Sequence, residues 1–237
     1  MTKRVLVLLL FTCVAASTFG QTKPKRVGRP DIPGTFIVEY GFNRARKIPP
    51  NFSQGFWGSR TLNLYYQYPI RILKSKFSFV PAIGFSFERF KLTNNYTLSP
   101  IKEVDGSYSL IDANTLYPGT YKSMIVADYF EAPIGLRFDT SPEDMARSFN
   151  ITIGARGGLL LDAFTKMKFN QDGERKIIKD KQNHGLNPYR YALFARIGVA
   201  GFHFFTYFNV SPLFAKNQGP QLTQMNTMTV GISINGF

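Results

Sequence analysis

The sequence predicts an all-β fold: an eight-stranded, antiparallel, up-and-down transmembrane β-barrel with an N-terminal signal peptide. Three observations carry that expectation. Residues 129–138, YFEAPIGLRF, alternate strictly, with Phe130, Ala132, Ile134, Leu136 and Phe138 on one face. Tyr129, Glu131, Pro133, Gly135 and Arg137 share the other, so one face is apolar and the other carries a carboxylate and a guanidinium. A strand has period two, which puts such a segment between two different environments. Secondly, the same alternation recurs along the chain with very apolar outer faces, which suits lipid outside and a side-chain-filled interior. Thirdly, the chain opens on an export signal.

That signal is read from Lys3 and Arg4, an apolar run over residues 5–14, and small residues up to Gly20. An apolar run near ten residues falls short of the about 20 that a helical span needs, so residues 1–20 read as a cleaved signal peptide. Cys13, the sole cysteine, lies within it. Phe11 and Thr12 stand where a lipoprotein site would carry small residues. The mature chain then has no cysteine, so neither a disulfide framework nor a thiolate nucleophile is expected. Losing Lys3 and Arg4 takes the net charge from +14 to +12. Export makes anionic lipid or glycan the expected counterpart of that charge, not nucleic acid. No later run approaches helical span length, so strands must do any crossing.

Residues 21–33, QTKPKRVGRPDIP, are basic and Pro-rich and read as a flexible periplasmic lead-in, with the barrel over 34–237. The first strand, 35–44, turns Phe36, Val38, Tyr40 and Phe42 outward and Glu39 inward. After a loop carrying Trp57, the second, 60–70, presents Leu62, Leu64, Tyr66, Tyr68 and Ile70 opposite Thr61, Asn63, Tyr65 and Gln67. The third, 77–90, alternates Phe77, Phe79, Ile83, Phe85 and Phe87 with a face ending in Ser86 and Glu88. Pro81 is its blemish, because proline gives the ladder no N–H. Residues 91–122 form the longest connection, into which strands are expected to extend because structureless loops that long are uncommon.

Residues 129–138 are the fourth strand. The fifth, 149–164, sends Ile151, Ile153, Ala155, Leu159 and Leu161 out and Asn150, Thr152, Arg156 and Asp162 in. A second long polar loop follows over 165–187, with Asp172-Gly173 as its hairpin tip. The sixth strand, 189–199, sets Tyr191, Leu193, Ile197 and Val199 against Arg190 and Arg196. The seventh, 204–215, is too aromatic to give a phase; the last, 225–237, alternates Met228, Val230, Ile232 and Ile234 with Thr227, Thr229 and Ser233. Connections alternate long and short, as outer-membrane barrels with the N-terminus in the periplasm require. Each strand offers the about 9–11 residues needed to cross at a tilt.

Residues 129–138, the run ITIGARGGLLLDAF over 151–164 and the run ALFARIGVAGF over 192–202 resemble the PorT-like outer-membrane β-barrel family. The resemblance covers most of the mature chain and is most specific at the Tyr129-Phe130-Glu131-x-Pro133 segment. It implies an eight-stranded barrel in the outer membrane, linked to the type IX protein-secretion apparatus.

The inward face collects Glu39, Glu88, Glu131, Arg137, Arg156, Asp162, Arg190 and Arg196. An eight-stranded barrel is just wide enough to be filled by side chains, and enclosed charges must pair. A plug of ion pairs centred on Glu131 is therefore expected; an ion path is the alternative. The basic loop, with Lys166, Lys168, Arg175, Lys176, Lys179 and Lys181, is a candidate surface for lipopolysaccharide phosphates or for other secretion-machine subunits. Tyr40, Phe42, Tyr66, Tyr68, Tyr189, Tyr191 and Phe214 are expected in interfacial girdles. No phosphate-binding loop or metal-ligand spacing occurs, so no cofactor or metal is expected. His184 lies in a loop with no serine nearby, and His203 stands beside a short turn expected on the periplasmic side, which argues against a lipid-modifying enzyme. The expected role is a non-enzymatic scaffold or secretion accessory, with envelope integrity or surface ligand binding as the alternative.

Overall fold

The structure is a computed structural model that describes residues 34–144 and 147–236. The expected signal peptide, the lead-in and Phe237 lie outside the described residues. The elements in chain order are β1 (Thr35–Arg46), β2 (Arg60–Gln67), β3 (Ile70–Arg71), β4 (Phe77–Leu92), β5 (Tyr96–Leu98), β6 (Leu110–Asp112) and α1 (Ala113–Leu116). Then come β7 (Thr120–Asp139), β8 (Phe149–Gln171), β9 (Glu174–Asp180), β10 (Tyr189–Val199), β11 (Phe202–Asn209) and β12 (Asn226–Asn235).

Eight strands close a ring in the order β1, β2, β4, β7, β8, β10, β11, β12 and back to β1, each pair antiparallel. Closure is made by β1 on β12, with Tyr40 opposite Ile232 and Phe42 opposite Val230. Closing the sheet removes the unpaired edge that hydrocarbon could not hydrogen-bond. Both described ends and the turns joining β2 to β4, β7 to β8 and β10 to β11 share one end of the ring. The connections 47–59, 93–119 and 210–225, with the β8–β9 hairpin, share the other. Short turns mark the periplasmic side and long loops the outside.

Alternation decides the facing of every strand. Phe36, Leu64, Phe85, Ile134, Ile153, Leu193, Phe204 and Val230 stay exposed, one from each strand of the ring. Their neighbours Glu39, Asn63, Ser86, Glu131, Thr152, Arg196, Tyr207 and Thr229 are buried. The seventh strand starts earlier than expected and ends at Asn209, with His203, Phe205 and Tyr207 inward. The second ends at Gln67 because Pro69 supplies no N–H to the ladder. Pro81 stays inside β4 as an acceptor, its carbonyl taking the Tyr68 N–H at 3.0 Å.

The largest departure lies above the membrane. β7 and β8 run 20 and 23 residues, about twice what a crossing requires. Their outward faces are apolar over Phe130–Phe138 and Ile151–Leu161, which we take as the crossing portions; the rest projects outward. A β-bulge at Leu161 separates the two parts of β8: Asp128 pairs with Asp162 and Tyr129 with Leu160. One extra residue reverses the phase, so beyond it Ala163, Thr165 and Met167 face inward and Asp162 faces outward. The expected inward position of Asp162 is thereby overturned.

The region read as a polar loop is largely strand. Lys166 and Lys168 sit in β8, Arg175, Lys176 and Lys179 in β9, and Lys181 just after it. Met167 opposite Ile178 gives this hairpin its apolar rung. The tip turn has Asp172 at φ 54° and Gly173 at φ 80°, the two positive angles of a two-residue hairpin turn. Gly173→Ala is expected to cost about 1 kcal/mol locally. Faster proteolytic nicking at 172–173 in folded protein would show it; unchanged nicking would contradict the turn.

Loops and strand extensions build an apolar cap over the outer mouth: Phe52, Phe90, Leu92, Ile125, Leu186 and Phe214 pack in one cluster. Phe214 is 1% exposed there, so it is not a girdle residue. Tyr40, Tyr68, Tyr189 and Tyr191 are exposed and Phe42 and Tyr66 half-exposed, as girdle positions require. Among the described residues no helix is long and apolar enough to cross a membrane.

Candidate functional site

The interior of the ring is a set of charged and aromatic layers. Near its middle, Glu131 from β7 takes Arg156 Nη1 at 2.8 Å on one carboxylate oxygen and Arg190 Nη1 at 2.8 Å on the other. The Tyr65 hydroxyl, reaching across from β2, also donates to Glu131. Arg190 Nη2 then lies 2.5 Å from Glu88 Oε2, an ion pair without hydrogen-bond alignment. Each guanidinium also stacks on a ring: Arg156 lies 3.7 Å from the Tyr207 centroid and Arg190 3.6 Å from that of Tyr129. A planar guanidinium can serve a carboxylate at its edge and an aromatic at its face together, which lysine cannot.

Toward the periplasmic end, Glu39 on β1 binds Arg196 Nε at 2.6 Å. The Tyr207 hydroxyl donates to Glu39 at 2.8 Å and accepts from Arg196 Nη2 at 2.7 Å, while Asn63 donates to Glu39 at 2.8 Å. Ile37, Tyr65, Phe194, Phe205 and Tyr207 form a buried cluster that shares Tyr65 with the Glu131 group and Tyr207 with the Glu39 group. Lower still, Arg137 Nη2 pairs with Asp139 at 2.8 Å. Above Glu39, Asn43 accepts from Thr61 at 2.5 Å and from Thr229 at 2.8 Å.

Seven of the eight expected interior residues thus lie inside, namely Glu39, Glu88, Glu131, Arg137, Arg156, Arg190 and Arg196. The eighth, Asp162, has a side chain 47% exposed, 4.0 Å from Lys181 on the outer face. Asp139 takes its place. It lies one residue past the expected strand 129–138 and continues the inward phase of Glu131, Pro133, Gly135 and Arg137. The buried ledger is then four carboxylates (Glu39, Glu88, Glu131, Asp139) against four guanidiniums (Arg137, Arg156, Arg190, Arg196), net zero. The tyrosines that complete the network were placed inward only at Tyr65 and Tyr129; the signal for Tyr207 was its spacing from Asn209 and Phe205.

The histidines stand apart. His203 is buried inside the barrel on β11. His184, under the cap, lies 3.4 Å from the Asp180 carbonyl and edge-on to the Tyr108 ring. No group of three or more His, Cys, Asp or Glu side chains among the described residues could hold a metal ion.

An apolar belt around a neutral, side-chain-filled interior defines a small closed barrel of the outer membrane. The chain belongs to the outer membrane protein beta-barrel domain family, whose model matches residues 20–214. No curated protein matches the sequence. Solved structures similar to it include Ail, the attachment invasion locus protein of Yersinia pestis, at 13% identity and TM-score 0.33, covering 86% of this chain and 97% of that one. The same protein in complex with the heparin analogue sucrose octasulfate matches at 14% identity and TM-score 0.32, covering 86% of this chain and 100% of that one. OprG of Pseudomonas aeruginosa matches at 8% identity and TM-score 0.27, covering 86% of this chain and 96% of that one.

Proposed function

We propose that this chain is a sealed, non-enzymatic outer-membrane barrel, exported by the signal at residues 1–20, that serves as a PorT-like scaffold or accessory of type IX protein secretion. Residues 21–33 are its periplasmic lead-in and 34–237 its barrel. The observation that carries the reading is the neutral interior network beneath an apolar cap. A lumen filled in that way leaves no solute path, so the work of the protein falls to its outward surfaces. These are the capped loops and the β8–β9 hairpin on one side and the short turns on the other. The resemblance to PorT-like barrels is most specific around Glu131, the residue on which the interior network converges. Its partners on this reading are outer-membrane lipid, lipopolysaccharide and other secretion subunits.

Deleting the gene and measuring secreted cargo tests the role. Loss of cargo from the medium, restored by the gene in trans, is the expected result. Normal secretion with raised detergent sensitivity would instead assign the barrel to envelope integrity.

A further inference from the structure

Because the lumen is filled, ligand chemistry has to be sought outside it. A groove of about 700 Å³ runs from Tyr40 on β1 across the outer face of β2, β4, β7, β8 and β9, where the apolar belt gives way to charge. Its floor is apolar: Leu62, Phe87, Met124, Val126 and Phe164. Its rim is cationic: Arg60, Arg89, Lys122, Lys166, Lys168 and Lys179.

The strand register crowds those cations against one another. Arg60 stands opposite Arg89, Lys122 opposite Lys168, and Lys166 opposite Lys179. Like charges directly opposite in a sheet are destabilising, so three such pairs on one face leave a local excess of positive charge. Asp128 is taken up by Arg89 at 2.6 Å, and Lys179 lies over the Phe164 ring at 5.4 Å. Among the described residues no carboxylate comes within ion-pair distance of Arg60, Lys122, Lys166, Lys168 or Lys179. Burial, then Lys168, Lys91 and Arg60, holds the Lys122 amine below the ordinary lysine range. Burial, then Lys168 and Lys179, does the same at Lys166. Both lysines lie above the crossing portions of their strands.

An anion would relieve that crowding, and the floor says what must carry it. Leu62 and Phe87 continue downward into the exposed Leu64 and Phe85 of the lipid-facing belt. Cations therefore sit at headgroup height, at the long-loop end, directly above a surface that acyl chains cover. We propose that this groove binds a phosphorylated, acylated glycolipid of the outer leaflet, of the lipid A class. Its phosphate lies among Lys122, Lys166 and Lys168, and an acyl chain runs down over Leu62 and Phe87. The inference rests on the outer-membrane placement of the barrel and is independent of a part in secretion.

The test uses the full mature chain in phosphatidylcholine nanodiscs, titrated with bisphosphorylated lipid A and read by native mass spectrometry. The variant Lys122→Gln/Lys166→Gln/Lys168→Gln is expected to weaken binding by about a hundredfold, three headgroup-level cations having been removed. Arg175→Gln/Lys176→Gln/Lys181→Gln removes the same charge from the two ends of β9, at residues that do not line the groove, and is expected to leave the affinity nearly unchanged. Dephosphorylated lipid A is expected to bind far more weakly than the phosphorylated form, and inorganic phosphate not to displace it. Equal loss in both triple variants, equal binding of dephosphorylated lipid A, or displacement by inorganic phosphate would each overturn the proposal. Should the groove triple variant fail to fold, the single Lys168→Gln change is expected to cost about fivefold, and no loss would overturn the proposal equally. Folding is followed by heat-modifiable migration on gels. A chain that never shows it speaks against the barrel placement, whereas a folded chain blind to phosphate speaks against the groove alone.

Discussion

Glu131→Ala is expected to lower the unfolding free energy of the barrel by about 3–5 kcal/mol, the cost of leaving buried charge without its partner. Two guanidiniums lose their counter-ion at once. Arg156 keeps only Tyr65, Asn209 and the face of Tyr207, and Arg190 keeps Glu88. The buried ledger moves from zero to +1 in a space closed above by the cap and enclosed by lipid. Guanidinium unfolding of protein reconstituted in lipid vesicles, followed by tryptophan fluorescence of Trp57, would give the value. A double-mutant cycle with Arg156→Met separates the pair from the rest. If the network is as the distances imply, the two changes together are far less damaging than their sum. Additive losses would mean that the two side chains do not interact.

Ile153→Arg is expected to cost about 2–4 kcal/mol, the depth-dependent penalty for a cation on the lipid face near the middle of a barrel. Ile153 is 58% exposed, opposite Leu136 on β7 and Ala195 on β10, within the apolar stretch of β8. Nothing polar lies beside it to take the charge. A soluble sandwich would tolerate the same change, since exposed arginine in water is nearly free. The measurement is the same vesicle-based unfolding, with Ile153→Leu as the control expected to change little. An arginine that leaves stability untouched would place this face in water.

The crossing part of the fold was legible because period two is unambiguous when each face meets one solvent. Residues 130–138 read correctly on both faces, and Glu39, Glu88, Arg156, Arg190 and Arg196 followed from the same rule. Reading failed where that condition ends. Above the crossing, β7 buries both faces: Ile125 and Ala127 lie under the cap, while Met124 and Val126 lie beneath the outer-face cations. Met124-Ile125-Val126-Ala127 is therefore continuous apolar sequence, which carries no phase. The Leu161 bulge leaves no mark in a run of three leucines, so Asp162 was carried through on the old phase. Asp139 falls just outside the expected strand because a carboxylate at a strand end looks the same whether it pairs inward or meets water. Phe214 looked like a girdle residue because aromatics near strand ends serve both lipid interfaces and loop cores, and only tertiary packing separates the two.

The central claim is that the cylinder is closed by paired charge within and by the cap above. Recording purified protein in planar lipid bilayers tests it most directly. The expected trace stays at baseline across the voltage range, with insertion verified by heat-modifiable migration of the same sample. Steady single-channel currents from the unaltered chain would show a continuous aqueous path past Glu131 and contradict the account.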